Sequence, residues 1–233
     1  RTLALVRKVL NHGVDHDWID ANPAARVAKP ATETSRERVL TDGELHRLWR
    51  LLSHFPTTSE KPAPGRGRAI GGESDRLCPI SRSLAGLLKV RLLTAQRGGE
   101  LAKMRWQDLD LANGWWTIPG ADTKNGSSHR VPLLPDTISL IRANEPKGST
   151  EARGRPRRQS QGDDLPAYVF TGRGGAQLLN RAKKAPAAIA KTLGIDFKGH
   201  DLRRTAATGM PAAGVPRDHI ARVLNHVEGG SRA

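Results

Sequence analysis

Gly199-His200-Asp201-Leu202-Arg203-Arg204-Thr205 is the stretch on which the reading of this chain turns. It reads as the start of a helix. His200 and Arg203 lie three residues apart, so on a helix they share one face about one turn apart. A protonatable ring beside a guanidinium fork suits holding a phosphate and moving a proton near it. The plainer reading is a surface helix in a basic protein, where such pairs are common. The rest of the chain decides between the two.

The chain has 233 residues, with 38 Lys and Arg against 23 Asp and Glu, a formal net charge of +15. That excess favours a polyanionic partner: nucleic acid, an anionic membrane surface or an acidic protein. No apolar run approaches the roughly 18 residues of a membrane span, so no membrane role is expected. The single cysteine, Cys78, excludes an intramolecular disulfide and a Cys-rich zinc site. An intracellular protein fits best. The chain opens at Arg1 inside a helical pattern, as a piece of a longer protein does.

Residues 2–19 read as an amphipathic helix with Leu3, Val6, Leu10 and Val14 on one side, ended by Asn22-Pro23. His12 and His16 have the spacing of a helical metal pair, but no third ligand accompanies them, and no metal is expected. Residues 24–38 look like a linker. Thr41-Asp42-Gly43-Glu44 is a capping box that opens the next helix. Residues 53–76 and 145–166, rich in Gly and Arg, read as flexible insertions. Residues 79–96 form a helix with Leu84, Leu87, Leu88, Leu92 and Leu93 inward.

The period then changes. Trp106–Leu111, Trp115–Ile118 and His129–Leu133 read as three strands, with turns at Asn113-Gly114 and Asn125-Gly126. Lys124 thus sits near a hairpin tip. Ala167-Tyr168-Val169-Phe170 reads as a short buried strand, and helices follow over residues 177–193, 200–209 and 216–226. The fold expected is α+β and mainly α-helical, with a small antiparallel three-stranded sheet.

Arg97, Lys124, His200, Arg203 and His226 fit one task. A phosphodiester under attack develops charge on two non-bridging oxygens, which two Arg forks can bind. Removing one such donor from a preorganised site typically costs about 10²–10³ in rate. A Lys or His can protonate the leaving oxygen, and a His can accept a proton from the nucleophile.

Thr94-Ala95-Gln96-Arg97-Gly98-Gly99-Glu100-Leu101, His200-Asp201-Leu202-Arg203-Arg204-Thr205 and Leu224-Asn225-His226 resemble, in this order, the signature boxes of the tyrosine recombinases, the phage-integrase family. Thr123-Lys124-Asn125-Gly126, followed by Arg130-Val131-Pro132-Leu133, resembles the family's β-hairpin lysine. The resemblance implies a site-specific DNA recombinase that cuts and rejoins strands through a 3′-phosphotyrosine. Arg97 and Arg203 would clamp the scissile phosphate, and Lys124 would protonate the 5′ leaving oxygen. His200 would move a proton, His226 would hydrogen-bond the phosphate and Glu100 would support Arg97. The resemblance further implies no metal or ATP cofactor, double-stranded DNA as partner, four protomers on two DNA sites, and a cytoplasmic, nucleoid-associated protein. The domain reading is residues 1–28, the last helix of a core-binding domain; 29–38, a linker; and 39–233, a catalytic domain lacking its end.

The sequence also departs from the family pattern. Asn225 stands where Gly is frequent, and Met210-Pro211 interrupts a helix. The family tyrosine lies shortly beyond the last His. Here the one tyrosine is Tyr168, so the chain is expected to stop before its nucleophile and to be inactive alone. Arg204 points off the His200–Arg203 face and, with Arg130, is a candidate for the DNA backbone. His129 and Arg130 read as an exposed basic edge, and one of Trp115 and Trp116 as core. Two alternatives stay open: a type IB topoisomerase-like enzyme, and a non-catalytic DNA-binding protein on an integrase scaffold.

Overall fold

The computed structural model describes residues 2–28, 36–55, 77–145, 167–172 and 175–225. The chain divides into two compact units, Arg1–Arg36 and Glu37–Ala233. The division falls inside the stretch read as a linker.

In the first unit, α1 (Thr2–Asp15) ends earlier than the expected residue 19. Asp17 adopts a left-handed φ of 57°, and Trp18 N–H turns back to the Gly13 carbonyl at 2.8 Å. Beyond Asn22-Pro23 the chain folds back on the helix. Arg7 donates to the carbonyls of Ala24 at 2.9 Å, Ala25 at 3.1 Å and Val27. The His12 and His16 rings meet edge to face with centroids 4.2 Å apart, and His16 stacks on Trp18.

The second unit begins with α2 (Asp42–Leu51), which carries the expected capping box. Glu44 N–H donates to the Thr41 hydroxyl at 3.3 Å, and Thr41 N–H donates to Glu44 Oε2 at 2.9 Å. The central helix is α3 (Arg82–Thr94), capped by the Ser81 hydroxyl and packed against the helices over residues 135–142, 179–193 and 199–212. Leu87, Leu88 and Val90 are fully enclosed. Each such side chain contributes about 1.5–3 kcal/mol of transfer free energy relative to exposure. The inward stripe differs from the expected one. It runs through Leu84, Leu87, Leu88, Arg91 and Thr94, while Leu93 faces out at 38% exposure. Arg91 stands on the same i, i+3, i+4, i+7 pattern as the leucines.

After α4 (Gly98–Leu101), residues 106–108 form a 3₁₀ turn, not the start of a strand. Strand β1 is only Leu109–Asp110; it pairs antiparallel with β2 (Trp115–Ile118), which pairs with β3 (His129–Pro132). The Asn125-Gly126 signal does not make a two-residue hairpin. The last pair is Ile118 with His129, so residues 119–128 form the whole connection. Asp122 fixes that longer loop by accepting from Lys103 at 2.9 Å and Arg105 at 3.1 Å. Trp116 is buried and Trp115 is half-buried under the Arg130 guanidinium, 4.2 Å from its ring centre.

Helix α5 (Pro135–Arg142) was not among the expected elements, although Pro135 in its first turn and Asp136 are ordinary start signals. Helices α6 (Leu179–Leu193), α7 (Gly199–Ala212) and α8 (Arg217–Val223) complete the described residues. Pro211 does not interrupt α7. A proline in the last turn removes one hydrogen bond and leaves the earlier ladder intact. Pro216 is the N-cap of α8 and lies just outside its first turn. Tyr168 is not in a buried strand. It is half-buried and forms one isolated bridge with Arg105, while Val169 and Phe170 enter the core. The architecture is α+β and mainly helical with a three-stranded antiparallel sheet, as expected.

Candidate active site

The site grows from the end of α3. Ala95 takes a left-handed φ of 56°, which stops the helix and turns Gln96 and Arg97 away from its axis. Gln96 is fully buried, and its Nε2 donates to the carbonyls of Thr94 and Val223, both at 2.8 Å. Arg97 is half-buried. Its backbone N–H donates to Glu100 Oε2 at 3.1 Å, and its Nη1 donates to Oε1 at 2.9 Å. One buried carboxylate thus caps α4 and aims the Arg97 fork. Asp201 does the same for α7, accepting from Lys198 N–H at 2.8 Å.

Arg203 is 4% exposed. Its Nη1 donates to the Ala95 carbonyl at 2.7 Å and its Nη2 to the Leu224 carbonyl. Burial pushes its pKa down to about 10, with Arg97 and Arg91 acting in the same direction and Glu100 against it. The guanidinium stays charged at neutral pH in a region of surplus positive potential, which an anion would relieve.

His200 lies in the first turn of α7. Partial burial lowers its pKa, and Arg204, Arg91 and Arg203 lower it further against the opposing Asp201. The ring is neutral at neutral pH and able to accept a proton. Arg204 therefore acts electrostatically on His200 as well as being a backbone candidate.

His129 is not an exposed edge residue. It is half-buried, with Nε2 3.2 Å from the Val223 carbonyl. Burial lowers its pKa, the Val223 bond and Glu100 oppose this, and Arg203 and Arg97 reinforce it. The alternation of a strand carried the signal. His129 shares a face with Val131, which is buried, so it points inward with it.

The structure brings Arg97, Glu100, His200 and Arg203 into one electrostatic cluster and adds His129 and Arg91. Lys124 is exposed in the 119–128 loop and is not hydrogen-bonded to any of them. Its neighbour Asn125 donates to Asn225 Oδ1 at 2.9 Å, so the loop is tied to the chain just past α8. His226 lies outside the described residues. Arg130 covers Trp115 on the outer face of the sheet. Among the described residues no group of three or more His, Cys, Asp or Glu is placed to hold a metal ion, and no helix is long and apolar enough to cross a membrane.

Residues 72–231 match the family described as the phage integrase family. Prophage integrase IntA of Escherichia coli is 29% identical over 154 residues, 66% of this chain and 34% of that protein. The chain thus spans about a third of the length of that relative. Among solved structures, a lambda integrase dimer bound to a COC′ core site matches with a TM-score of 0.63 at 15% identity. The match covers 97% of this chain and 70% of that one. A lambda integrase tetramer bound to a Holliday junction matches at 0.62 and 15%, covering 99% and 59%.

Proposed function

Because this chain belongs to the phage integrase family, we propose that it is the catalytic region of a tyrosine-type site-specific DNA recombinase. The observation that carries the proposal is the buried Arg203 guanidinium, with Arg97 and His200 in its field. Two guanidinium forks at one place suit the two non-bridging oxygens of a phosphodiester. As the phosphorus becomes five-coordinate, charge on those oxygens grows and their attraction to Arg97 and Arg203 grows with it, which lowers the barrier. Neutral His200 accepts the proton of the attacking hydroxyl. Lys124 delivers a proton to the 5′ oxygen once the 119–128 loop closes on DNA. Glu100 acts through Arg97 and touches no reacting atom. His226 would add a hydrogen bond to the phosphate. The nucleophile is a phenol, and a 3′-phosphotyrosine stores the bond energy for rejoining.

Duplex DNA is the partner. The formal net charge of +15 supports that, as does the likeness to integrases solved on DNA. Four protomers on two sites would be the working assembly, by analogy with the lambda integrase tetramer. Residues 1–28 would belong to a core-binding domain and residues 39–233 to the catalytic domain.

Binding of this chain to mixed-sequence duplex should weaken steeply with salt through counterion release. An affinity that stays level from low to moderate salt rules out the DNA reading. The one tyrosine, Tyr168, is half-buried next to the core residues Val169 and Phe170 and is a poor nucleophile candidate. The 233 residues should bind nicked DNA without forming a covalent adduct on a denaturing gel. An adduct that disappears in Tyr168→Phe would make Tyr168 the nucleophile.

A further inference from the structure

Beside the Arg97–Arg203 pair lies a cavity of about 230 Å³, lined among others by Arg91, Gly98, Lys183, Gly199 and His200. It contains neither Arg97 nor Arg203. At its wall stands Arg91, 8% exposed, whose buried Nε has no hydrogen-bond partner among the described residues. A buried donor without a partner is destabilising, and more so when it is charged. Burial pushes the Arg91 pKa down to about 10, opposed by the field of Asp201.

The backbone is shaped around this side chain. A Cβ at Gly199 would come within 2.5 Å of Arg91 Nη1, and one at Gly98 within 2.7 Å. Two glycines, from the starts of α4 and α7, therefore leave the slot the guanidinium occupies. A leucine or methionine on the same stripe would fill this space without the cost of burying a charge. The cavity also meets the N-terminal end of α7, a helix of 14 residues capped by Asp201, where the helix dipole favours an anion. Lys183 adds to the same positive field.

We propose that this cavity is a second phosphate subsite, which takes a backbone phosphodiester of the bound strand next to the one held by Arg97 and Arg203. Arg91, which lines the cavity, donates to that phosphate through its guanidinium. His200 lines this cavity and lies in the field of Arg203, so it adjoins both subsites. This rests on the DNA reading above and adds a contact that sets the strand's position along the site.

The experiment follows the arginine Nε–Hε signals of this chain by NMR during separate titrations with inorganic phosphate and with a short mixed-sequence duplex. The Arg91 signal should move with both, and the duplex should displace the phosphate. In parallel, Arg91→Met should lower the slope of log affinity against log salt by about one, the signature of one lost phosphate contact. Duplex binding with an unmoved Arg91 signal, or an unchanged slope in Arg91→Met, overturns the subsite and leaves the DNA reading standing. Phosphate that moves the signal but is not displaced by bound duplex marks a free-anion site and overturns the assignment to DNA. Absence of any duplex binding sinks the DNA reading itself, and the subsite with it. Should Arg91→Met fail to fold, the signals of the unaltered chain decide.

Discussion

Arg203 donates through Nη1 to the carbonyl of Ala95 at 2.7 Å, across 108 positions of the sequence. Its other terminal nitrogen holds the carbonyl of Leu224. The residue assigned to the phosphate is thus also the fastening between the end of α3, the middle of α7 and the end of α8.

Arg203→Lys should therefore cost stability as well as cleavage. A single ammonium cannot replace both forks, and one buried carbonyl is left without its donor. The expected loss is about 1–3 kcal/mol. Urea unfolding would show a lower midpoint at unchanged slope. A variant as stable as the original would show that these two bonds contribute nothing net.

Asn225 occupies a left-handed φ of 48°. Asn tolerates that conformation, and Gly adopts it without strain. Asn225→Ala should destabilise by about 1–2 kcal/mol. Asn225→Gly should lose only the exposed bond to Asn125. Equal effects in thermal melts would mean that the backbone at residue 225 is unstrained.

Burial and guanidinium neighbours lower the pKa of both His129 and His200. The unfolded chain therefore takes up these protons at higher pH than the folded one. Unfolding free energy rises with pH up to the unfolded value of about 6.5 and is lost as pH falls through the lowered folded values. His129→Gln should flatten part of that slope in denaturation measured across the window. Stability that increases on acidification through this range would contradict the assignment. DNA phosphate favours the charged rings, so affinity should increase over the same descent.

Gly98 and Gly99 are neighbours with opposite expected tolerance. A Cβ at Gly98 meets the Arg91 guanidinium, whereas one at Gly99 meets nothing within 4 Å. Gly99→Ala should be neutral or gain up to about 1 kcal/mol from helix propensity. Gly98→Ala should lower the melting temperature and disturb the Arg91 signal. Similar melts for the two variants would show that Arg91 moves aside freely.

Much of this architecture was legible because it is local. The Thr41–Glu44 capping box, the Leu84, Leu87 and Leu88 part of the α3 stripe and the His200–Arg203 spacing are patterns of residue type at fixed intervals. His129 escaped because it was read as a sheet edge, although its alternation with Val131 pointed inward. Arg91 escaped because residue type alone does not mark a charged side chain on a leucine stripe as buried. The 119–128 loop escaped because Asn125-Gly126 imitates a tight turn, while the ion pairs of Asp122 with Lys103 and Arg105 fix a longer one. The partners of Arg203 were beyond reach for another reason. They are backbone carbonyls, which every residue carries, and only the folded path of the chain selects Ala95 and Leu224.

The same long-range fastening sets when the site comes into being. Arg203 to Ala95 spans 108 positions, Gln96 to Val223 spans 127, Asn125 to Asn225 spans 100, and His129 to Val223 spans 94. Such contacts form only after large loops have closed, so they come late in folding and fail early in unfolding. A chain still emerging during synthesis, or one partly unravelled from its C-terminal side, holds a basic surface but lacks the Arg203–Leu224 fastening of the site. On the proposed function, affinity for DNA would precede the completed Arg97–Arg203 clamp, which waits for α8 to dock.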